Sequence, residues 1–496
     1  MLWVIDGAGA LTSLGVALYG VHDPNHPLWF PALASILCFW VAVRTVVRYG
    51  CGGYFWPAPA LIYLGLTFIM HHLGFFALYY NFQGLNPNPQ AALNAIWSMN
   101  LSYLALALGT YLYQRAVSQK PAAMIDRHYA APLKAPPERD GLLVPMLVVF
   151  ALALALSWYQ VRGTLPIFQL AKLVLSGQYD QALMLGTLSR LQLNTEASYA
   201  AQGYIGQMYT AVIPMLSYIW FAFALITRKR RYIILAVLSV LTSMTLLLAG
   251  MARAPVLIYL IQLALVNILI FRPRLSMKWV YGIGGTAAAY VLLSILLGRG
   301  RIGEGFLQNL WFKFAYAVER VYLTNSHSSV KVFDLFPEQL PFRLGHTWIN
   351  DLTNLLPGPG HSFTGEIYDY ISVFKFGTAS PHFVAEMWAN GGWAWVIVVS
   401  LLAGIVYQWL NLRLLAVKAR TPLKLALVGL LLFISAYPAV AGGLIAPINQ
   451  GLISIALLYW ILSGLARISL RLNGVFTSSQ KSSMPQATPA PKPSRL

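Results

Sequence analysis

The feature that most constrains this chain is a series of about twelve apolar stretches, each near the roughly 20 residues that a helix needs to cross a hydrocarbon layer. They begin near residues 3, 27, 54, 91, 141, 204, 232, 255, 279, 388, 423 and 449. Only 10% of the residues are charged and 58% are hydrophobic, whereas about a quarter of the residues in soluble domains are charged. The sequence therefore predicts an all-α, polytopic integral membrane protein and excludes a large soluble domain.

The charges indicate the orientation of these spans. If the N-terminus is cytoplasmic, most of the 34 Lys and Arg residues fall on the cytoplasmic side, including the run at residues 228–231. The far side then carries equal numbers of bases and acids, so the whole formal charge of +19 lies inside. This is the positive-inside asymmetry, and it predicts that both termini are cytoplasmic. The basic composition thus reports membrane topology, and no nucleic-acid partner is expected.

Composition also predicts the domain organisation. Residues 1–472 form one transmembrane domain, and the Ser-, Pro- and Gln-rich residues 473–496 form a disordered cytoplasmic tail. Four prolines within residues 114–140 favour a solvated cytoplasmic loop. Residues 161–203, outside the membrane, contain an apolar helical stripe that suits an interfacial helix or a helix packed on its neighbours. Residues 298–387 mix apolar and charged groups and are expected to fold against the membrane.

Cysteines and histidines favour neither a disulfide nor a metal site. Cys38 and Cys51 would lie about 20 Å apart on one helix, which is too far for a disulfide. His71 and His72 lie inside the third span, and adjacent residues point to different faces of a helix, so packing with backbone partners is favoured over a shared metal. The chain has no Asp-x-Asp or His-Glu-x-x-His pattern, and we expect neither a metal nor a cofactor.

A glycine-rich segment at residues 298–303, Gly-Arg-Gly-Arg-Ile-Gly, fits the dinucleotide-binding fingerprint as a pattern. That fingerprint requires a preceding β-strand, and here the segment follows a predicted transmembrane helix, so we reject nucleotide binding. Two alternatives stay open. Arg299 and Arg301 either lie near the headgroups at a flexible helix exit or contact an anionic, lipid-borne phosphate.

A second arginine motif, Gly-Met-Ala-Arg-Ala-Pro at residues 250–255, predicts a tight external turn between two spans. It places the Arg253 guanidinium at the membrane boundary with no acid nearby in sequence. A snorkelling arginine is one interpretation. We favour anion binding, because the rigid fork of arginine suits phosphate.

The tenth span begins after the segment Gly-Thr-Ala-Ser-Pro-His-Phe-Val-Ala-Glu at residues 377–386, with Gly391 and Gly392 following. His382 and Glu386 are four residues apart and share one face of a helix. They are either a simple pair at the helix start or a base and an acid at a water-accessible site in the membrane interface.

These last two motifs, together with the Leu-Pro-Gly turn at residues 356–358, resemble the Wzy-type O-antigen and enterobacterial common antigen polymerases. The related O-antigen ligases show a histidine and a downstream glycine similar to His382 and Gly391. The resemblance implies a C-type membrane glycosyltransferase fold in the bacterial inner membrane, with a large periplasmic loop, residues 298–387, between spans 9 and 10.

The resemblance also implies an activity, namely metal-independent, inverting transfer at the periplasmic face. The partners would be an undecaprenyl-diphosphate-linked oligosaccharide donor and acceptor, membrane lipid and a candidate chain-length regulator. Fixed cations can stabilise a diphosphate leaving group where no metal does, and an acceptor hydroxyl must lose its proton. The candidate catalytic residues are His382, Glu386, Arg253 and Arg301, and the candidate substrate-binding residues are Arg299, Arg320, Arg343 and Tyr368.

Two other functions remain as alternatives. An O-antigen ligase would use the same donor with a lipid A core acceptor. A lipid-linked oligosaccharide flippase or transporter would also be a basic protein with about twelve spans. Coupled transporters normally keep acids within their spans, whereas all 15 acids here are predicted to lie in loops or at helix ends, which disfavours transport.

Overall fold

The computed structural model describes residues 2–23, 25–54, 56–80, 88–134, 142–160, 172–173, 175–178, 207–249, 254–272, 323, 325–353, 363–371, 381–416, 419–435, 443 and 448–465. Within these residues the regular structure is helical and contains no strand. The helices are α1 (Leu2–His22), α2 (Trp29–Gly50), α3 (Pro59–Tyr79), α4 (Pro89–Ala116), α5 (Pro121–Ala130), α6 (Leu143–Gln160), α7 (Met208–Thr227), α8 (Arg230–Ala249), α9 (Ala254–Ile270), α10 (Asn325–Leu335), α11 (His346–Thr353), α12 (Phe363–Ile371), α13 (Phe383–Leu415), α14 (Pro422–Ile434) and α15 (Ile453–Leu465).

Among the described helices, 7 are long and apolar enough to cross a membrane, namely α1, α2, α3, α4, α7, α8 and α13. Shorter apolar helices, α6, α9, α14 and α15, coincide with four further predicted spans. The predicted span near residue 279 lies outside the described residues. The prediction of an all-α membrane protein is therefore confirmed, and the number of twelve spans stays a prediction.

The two longest described helices, α4 and α13, pack together through small residues. A side chain at Gly109 would overlap the backbone of Leu401, and one at Gly404 would overlap the backbone of Leu106. The Thr110 hydroxyl donates to the Gly404 carbonyl oxygen at 3.4 Å. Apolar lipid gives helices no hydrophobic drive to associate, so such close backbone approach supplies the packing contact instead. The candidate functional site lies in α13 of this helix pair.

Basic residues gather at one end of the bundle, which we call the basic end and which includes Arg44, Arg48, Arg115, Arg272, Arg413 and Arg420. Gln408 near the end of α13 donates to Gln114 of α4 at 2.8 Å, and Asn411 donates to the Gly50 carbonyl oxygen at the end of α2 at 2.8 Å. The helices α10–α12 lie at the opposite end, where Asn88 at the start of α4 contacts Asp334 at 3.2 Å. The basic end is the one that the sequence predicts to be cytoplasmic.

The prediction of a solvated loop at residues 114–140 is wrong for residues 121–130, which form α5 with Ile125 and His128 buried. Pro121 begins this helix instead of breaking one, because the first turn needs no proline N–H. The end of α5 is held by Arg420, whose guanidinium donates to the carbonyl oxygens of Tyr129, Ala131 and Ile270 at 2.8, 2.9 and 3.0 Å. Arg420 thereby caps α5 and α9 together.

His128 provides a test of this packing. Its Nε2 lies 3.2 Å from the Leu269 carbonyl oxygen, and burial, aided by the nearby Arg420 charge, lowers the pKa of His128 from 6.5 to about 4. A depressed histidine pKa costs stability as pH falls from about 6.5 towards 4, by about 3 kcal/mol. We expect the apparent Tm of the purified protein to fall over that range, and to fall less in His128→Gln, which keeps a donor for Leu269. Equal losses in both proteins would contradict this account.

The orientation is tested by labelling single cysteines in a Cys38→Ser, Cys51→Ala background. Thr353 and Lys229 are both exposed, Thr353 in α11 and Lys229 between α7 and α8, in the run 228–231 that the sequence predicts to be cytoplasmic. In intact spheroplasts we expect Thr353→Cys to react with a membrane-impermeant maleimide, and Lys229→Cys to react only after permeabilisation. The reverse pattern would invert the topology.

Candidate functional site

The candidate site is built around a break in α13. The backbone leaves helical geometry at Gly391 and at Gly392, where φ is 63° and ψ is −146°. The positive φ favours glycine at Gly392, and a side chain at Gly391 would overlap the ring of Trp395. Residues 383–390 therefore form a short half-helix that ends inside the protein.

Residues 343–347, which we call the hook, satisfy the carbonyl groups that this break exposes. The backbone N–H of Arg343 donates to the Ala389 carbonyl oxygen at 2.8 Å, and that of Leu344 donates to the Asn390 carbonyl oxygen at 3.0 Å. The Asn390 side chain accepts from the Gly345 N–H at 2.8 Å and donates to the Thr347 hydroxyl at 2.8 Å. The hook thus fixes where the half-helix stops.

A polar stripe runs along the half-helix at His382, Glu386 and Asn390, and all three side chains are completely buried. The sequence had placed the first two at a water-accessible mouth, so their burial differs from that interpretation. The difference arises because α3 and α10 pack against this face, with Thr67 and Ser329 contacting His382. A buried polar stripe among apolar spans is a functional candidate by default.

His382 caps the half-helix. Its Nδ1 accepts the Val384 N–H at 3.0 Å, and its own N–H donates to the Ser329 hydroxyl at 2.8 Å. Because Nδ1 accepts, the neutral ring carries its proton on Nε2, which lies 3.0 Å from the Thr67 hydroxyl oxygen. In this arrangement neither ring nitrogen of His382 offers a lone pair to a substrate.

Glu386 lies one turn further along the half-helix. Its backbone N–H donates to the His382 carbonyl oxygen at 3.2 Å, so its carboxylate is in the first turn, where the helix dipole favours negative charge. A side chain at Gly443 would overlap the carboxylate, which therefore lies directly against the backbone of that glycine. Glu386 and Asp351 are the buried acids of the described residues.

The two histidines of α3 adjoin this stripe at a π-helical turn, Phe68–His72. Such turns are common at functional sites. The His71 ring lies 4.7 Å from the His382 ring, centroid to centroid. His72 contacts the hydroxyls of Tyr103 and Ser35 at 2.9 and 3.0 Å. The sequence favoured backbone partners for this pair, but His72 instead joins α3 to α2 and α4 through side chains.

Of the other predicted site residues, the structure describes Arg343 and Tyr368. Arg343 forms an ion pair with Glu366 and lies over the Phe336 ring at 5.7 Å. Tyr368 is half-buried and packs against a hydrophobic core to which α2, α3, α4, α10, α12 and α13 contribute. Arg253, Arg299, Arg301 and Arg320, with the glycine-rich segment 298–303, lie outside the described residues.

The sequence analysis missed most of the residues that surround His382 and Glu386. Thr67 and Ser329 carried no signal, because single hydroxyl residues in apolar or mixed segments are common. His71 was noted within the third span, but its position beside His382 was not predicted. Asn390 did carry one, since it continues the spacing of four from His382 and Glu386 and directly precedes two glycines. Among the described residues, no three His, Cys, Asp or Glu side chains are grouped so as to hold a metal ion.

Comparisons with known proteins add no identification. No family model matches the sequence, and no curated protein and no solved structure matches it significantly. The class defined by the fold is that of an all-α membrane protein with a broken helix and a buried polar stripe.

The capping role of His382 is tested by two substitutions. Asparagine can also accept the Val384 N–H, whereas alanine cannot, and losing such a cap costs about 1 kcal/mol. We expect His382→Ala to lower the apparent Tm by about 1 °C or more, and His382→Asn to lower it less, as measured by thermal unfolding of detergent-purified protein. A larger loss in the asparagine variant would show that His382 does not act as a cap.

Proposed function

We propose that this protein is a membrane glycosyltransferase that polymerises undecaprenyl-diphosphate-linked oligosaccharide repeat units. The reaction would be inverting, would use neither metal nor organic cofactor, and would occur at the periplasmic face of the bacterial inner membrane. The observation that carries the proposal is the fully buried Glu386 carboxylate in the half-helix of α13. The resemblance of the surrounding motifs to Wzy-type polymerases supports the substrate class.

Glu386 is the better candidate for the base that removes the proton of the acceptor hydroxyl. Both ring nitrogens of His382 are engaged, one by the Val384 N–H and the other by the Thr67 hydroxyl. A base must present a lone pair within hydrogen-bond reach of the proton that it takes. In this proposal His382 holds the half-helix in place, and Glu386 accepts the proton.

The cations that stabilise the diphosphate leaving group would come from Arg253 and Arg301. Arg299, in the same motif as Arg301, and Arg320, further along the predicted periplasmic loop, are additional candidates. Negative charge grows on the leaving group, and fixed guanidinium groups can stabilise it. Arg343 suits this role less well, because its charge is already paired with Glu366. Tyr368 remains a candidate for stacking on a sugar ring, and a chain-length regulator remains a candidate partner.

A lipid-linked oligosaccharide flippase or transporter is the second candidate. It is favoured by the broken α13 helix with its buried acid, because transporters build their sites from discontinuous helices and intramembrane acids. An O-antigen ligase is the third candidate, because it shares the donor chemistry. The glycan phenotype of a deletion strain separates the three. Single-repeat capped lipid indicates a polymerase, unattached long chains a ligase, and cytoplasmic accumulation of lipid-linked repeats a flippase.

Substitution of Glu386 tests the proposal directly. In a deletion strain complemented with Glu386→Gln, we expect the polysaccharide ladder to fall roughly 100-fold or more, because the amide cannot accept a proton. Single-repeat capped lipid should remain. The matched control is Asp369→Asn, which changes an exposed acid of α12 and should leave the ladder intact. A normal ladder from well-expressed Glu386→Gln would reject the proposed base.

A further inference from the structure

Helix α11 presents three different faces. Thr347 and Asp351 are buried against the protein, and the Asp351 carboxylate accepts the Phe363 N–H at 3.2 Å. His346, Asn350 and Thr353 form an exposed polar face. The third face carries Ile349 and Leu352, which are 56% and 47% exposed, and Leu344 just before the helix is 70% exposed. The two buried side chains of α11 are thus polar, whereas Ile349 and Leu352 are apolar and exposed.

The exposure of Ile349 and Leu352 differs from a helix packed on a soluble domain, which buries most of its apolar side chains. Burial raises the pKa of the Asp351 carboxyl, although the hydrogen bond from Phe363 opposes that shift. A helix with separate apolar and polar exposed faces matches one that lies in a membrane interface.

Helix α11 contacts α13, which is long and apolar enough to span a membrane. Trp348 of α11 contacts Trp395 of α13, with ring centroids 5.3 Å apart. Near Trp395, α13 exposes Trp393, Ile397 and Val398, which face hydrocarbon in a membrane-spanning helix. Aromatic residues are enriched at the boundary between lipid and water. Trp348 thus joins α11 to a stretch of α13 whose exposed side chains are apolar.

We propose that Leu344 and α11 form an interfacial anchor whose apolar face, Leu344, Ile349 and Leu352, is embedded among lipid acyl chains. His346, Asn350 and Thr353 then face water. This inference rests on the membrane-spanning helices and does not depend on the proposed activity. The anchor would also affect the break in α13. The hook that caps the break in α13 begins with Arg343 and Leu344, so the segment that fixes the half-helix is held at the depth of the lipid headgroups.

Spin labelling in lipid nanodiscs tests the anchor. Single cysteines replace Ile349, Leu352, Asn350 or Thr353 in a Cys38→Ser, Cys51→Ala background, and each carries a nitroxide. We expect oxygen, which dissolves in lipid, to relax the labels at Ile349 and Leu352 more than a water-soluble nickel chelate does. The opposite order is expected at Asn350 and Thr353, which serve as controls on the same helix.

Two results would overturn the proposal. Strong relaxation by the nickel chelate at Ile349 and Leu352 would place them in water, and protection from both reagents would mean that protein covers them. If a label perturbs folding, the same cysteines without it are treated with a charged methanethiosulfonate. Slow modification at Ile349 beside rapid modification at Asn350 supports the anchor, and equal rates contradict it. Neither measurement depends on glycan synthesis, so its failure is distinguishable from failure of the proposed function.

Discussion

A buried backbone carbonyl group without a hydrogen-bond donor costs several kcal/mol, so a helix can break inside the protein only where other protein groups replace the lost bonds. The break at Gly391 and Gly392 meets this requirement through the hook. The N–H groups of Arg343 and Leu344 bond the carbonyl oxygens of Ala389 and Asn390. Without the hook, the half-helix would leave buried carbonyl groups unpaired. The geometry of the polar stripe therefore depends on a segment more than forty residues earlier in the chain.

The rest of the site follows from this constraint. The half-helix begins at the His382 cap and ends at Asn390, and the Asn390 side chain also donates to the Glu386 carbonyl oxygen at 3.0 Å. Glu386 therefore lies in a short rigid helix that is fixed at both ends. One end is joined to α3 through Thr67, and the other end is joined to the hook. Preorganisation of this kind allows a buried carboxylate to act on a substrate without a cost of reorganisation at the moment of reaction.

Sequence alone predicted the membrane class and most helix positions, because long apolar stretches determine spans directly. It also placed His382 and Glu386 on one helix face. The prediction was wrong at residues 121–130, where Pro121 begins a helix. Arg420 caps that helix by donating to the Tyr129 carbonyl oxygen, and almost 300 residues separate the two. Sequence alone could not predict that Thr67 contacts His382, since 315 residues separate them. Pairings at such separation depend on helix packing, which a single sequence does not reveal.

The most direct measurement is reconstitution of the purified protein in nanodiscs with synthetic undecaprenyl-diphosphate-linked repeat units in EDTA. The account predicts products of two or more repeats, with the new glycosidic linkage inverted relative to the donor as determined by NMR. Products that require added magnesium or manganese, or that retain the donor configuration, would contradict the metal-independent inverting mechanism. Movement of intact lipid-linked units across the bilayer without any new linkage would contradict glycosyl transfer altogether and favour a flippase.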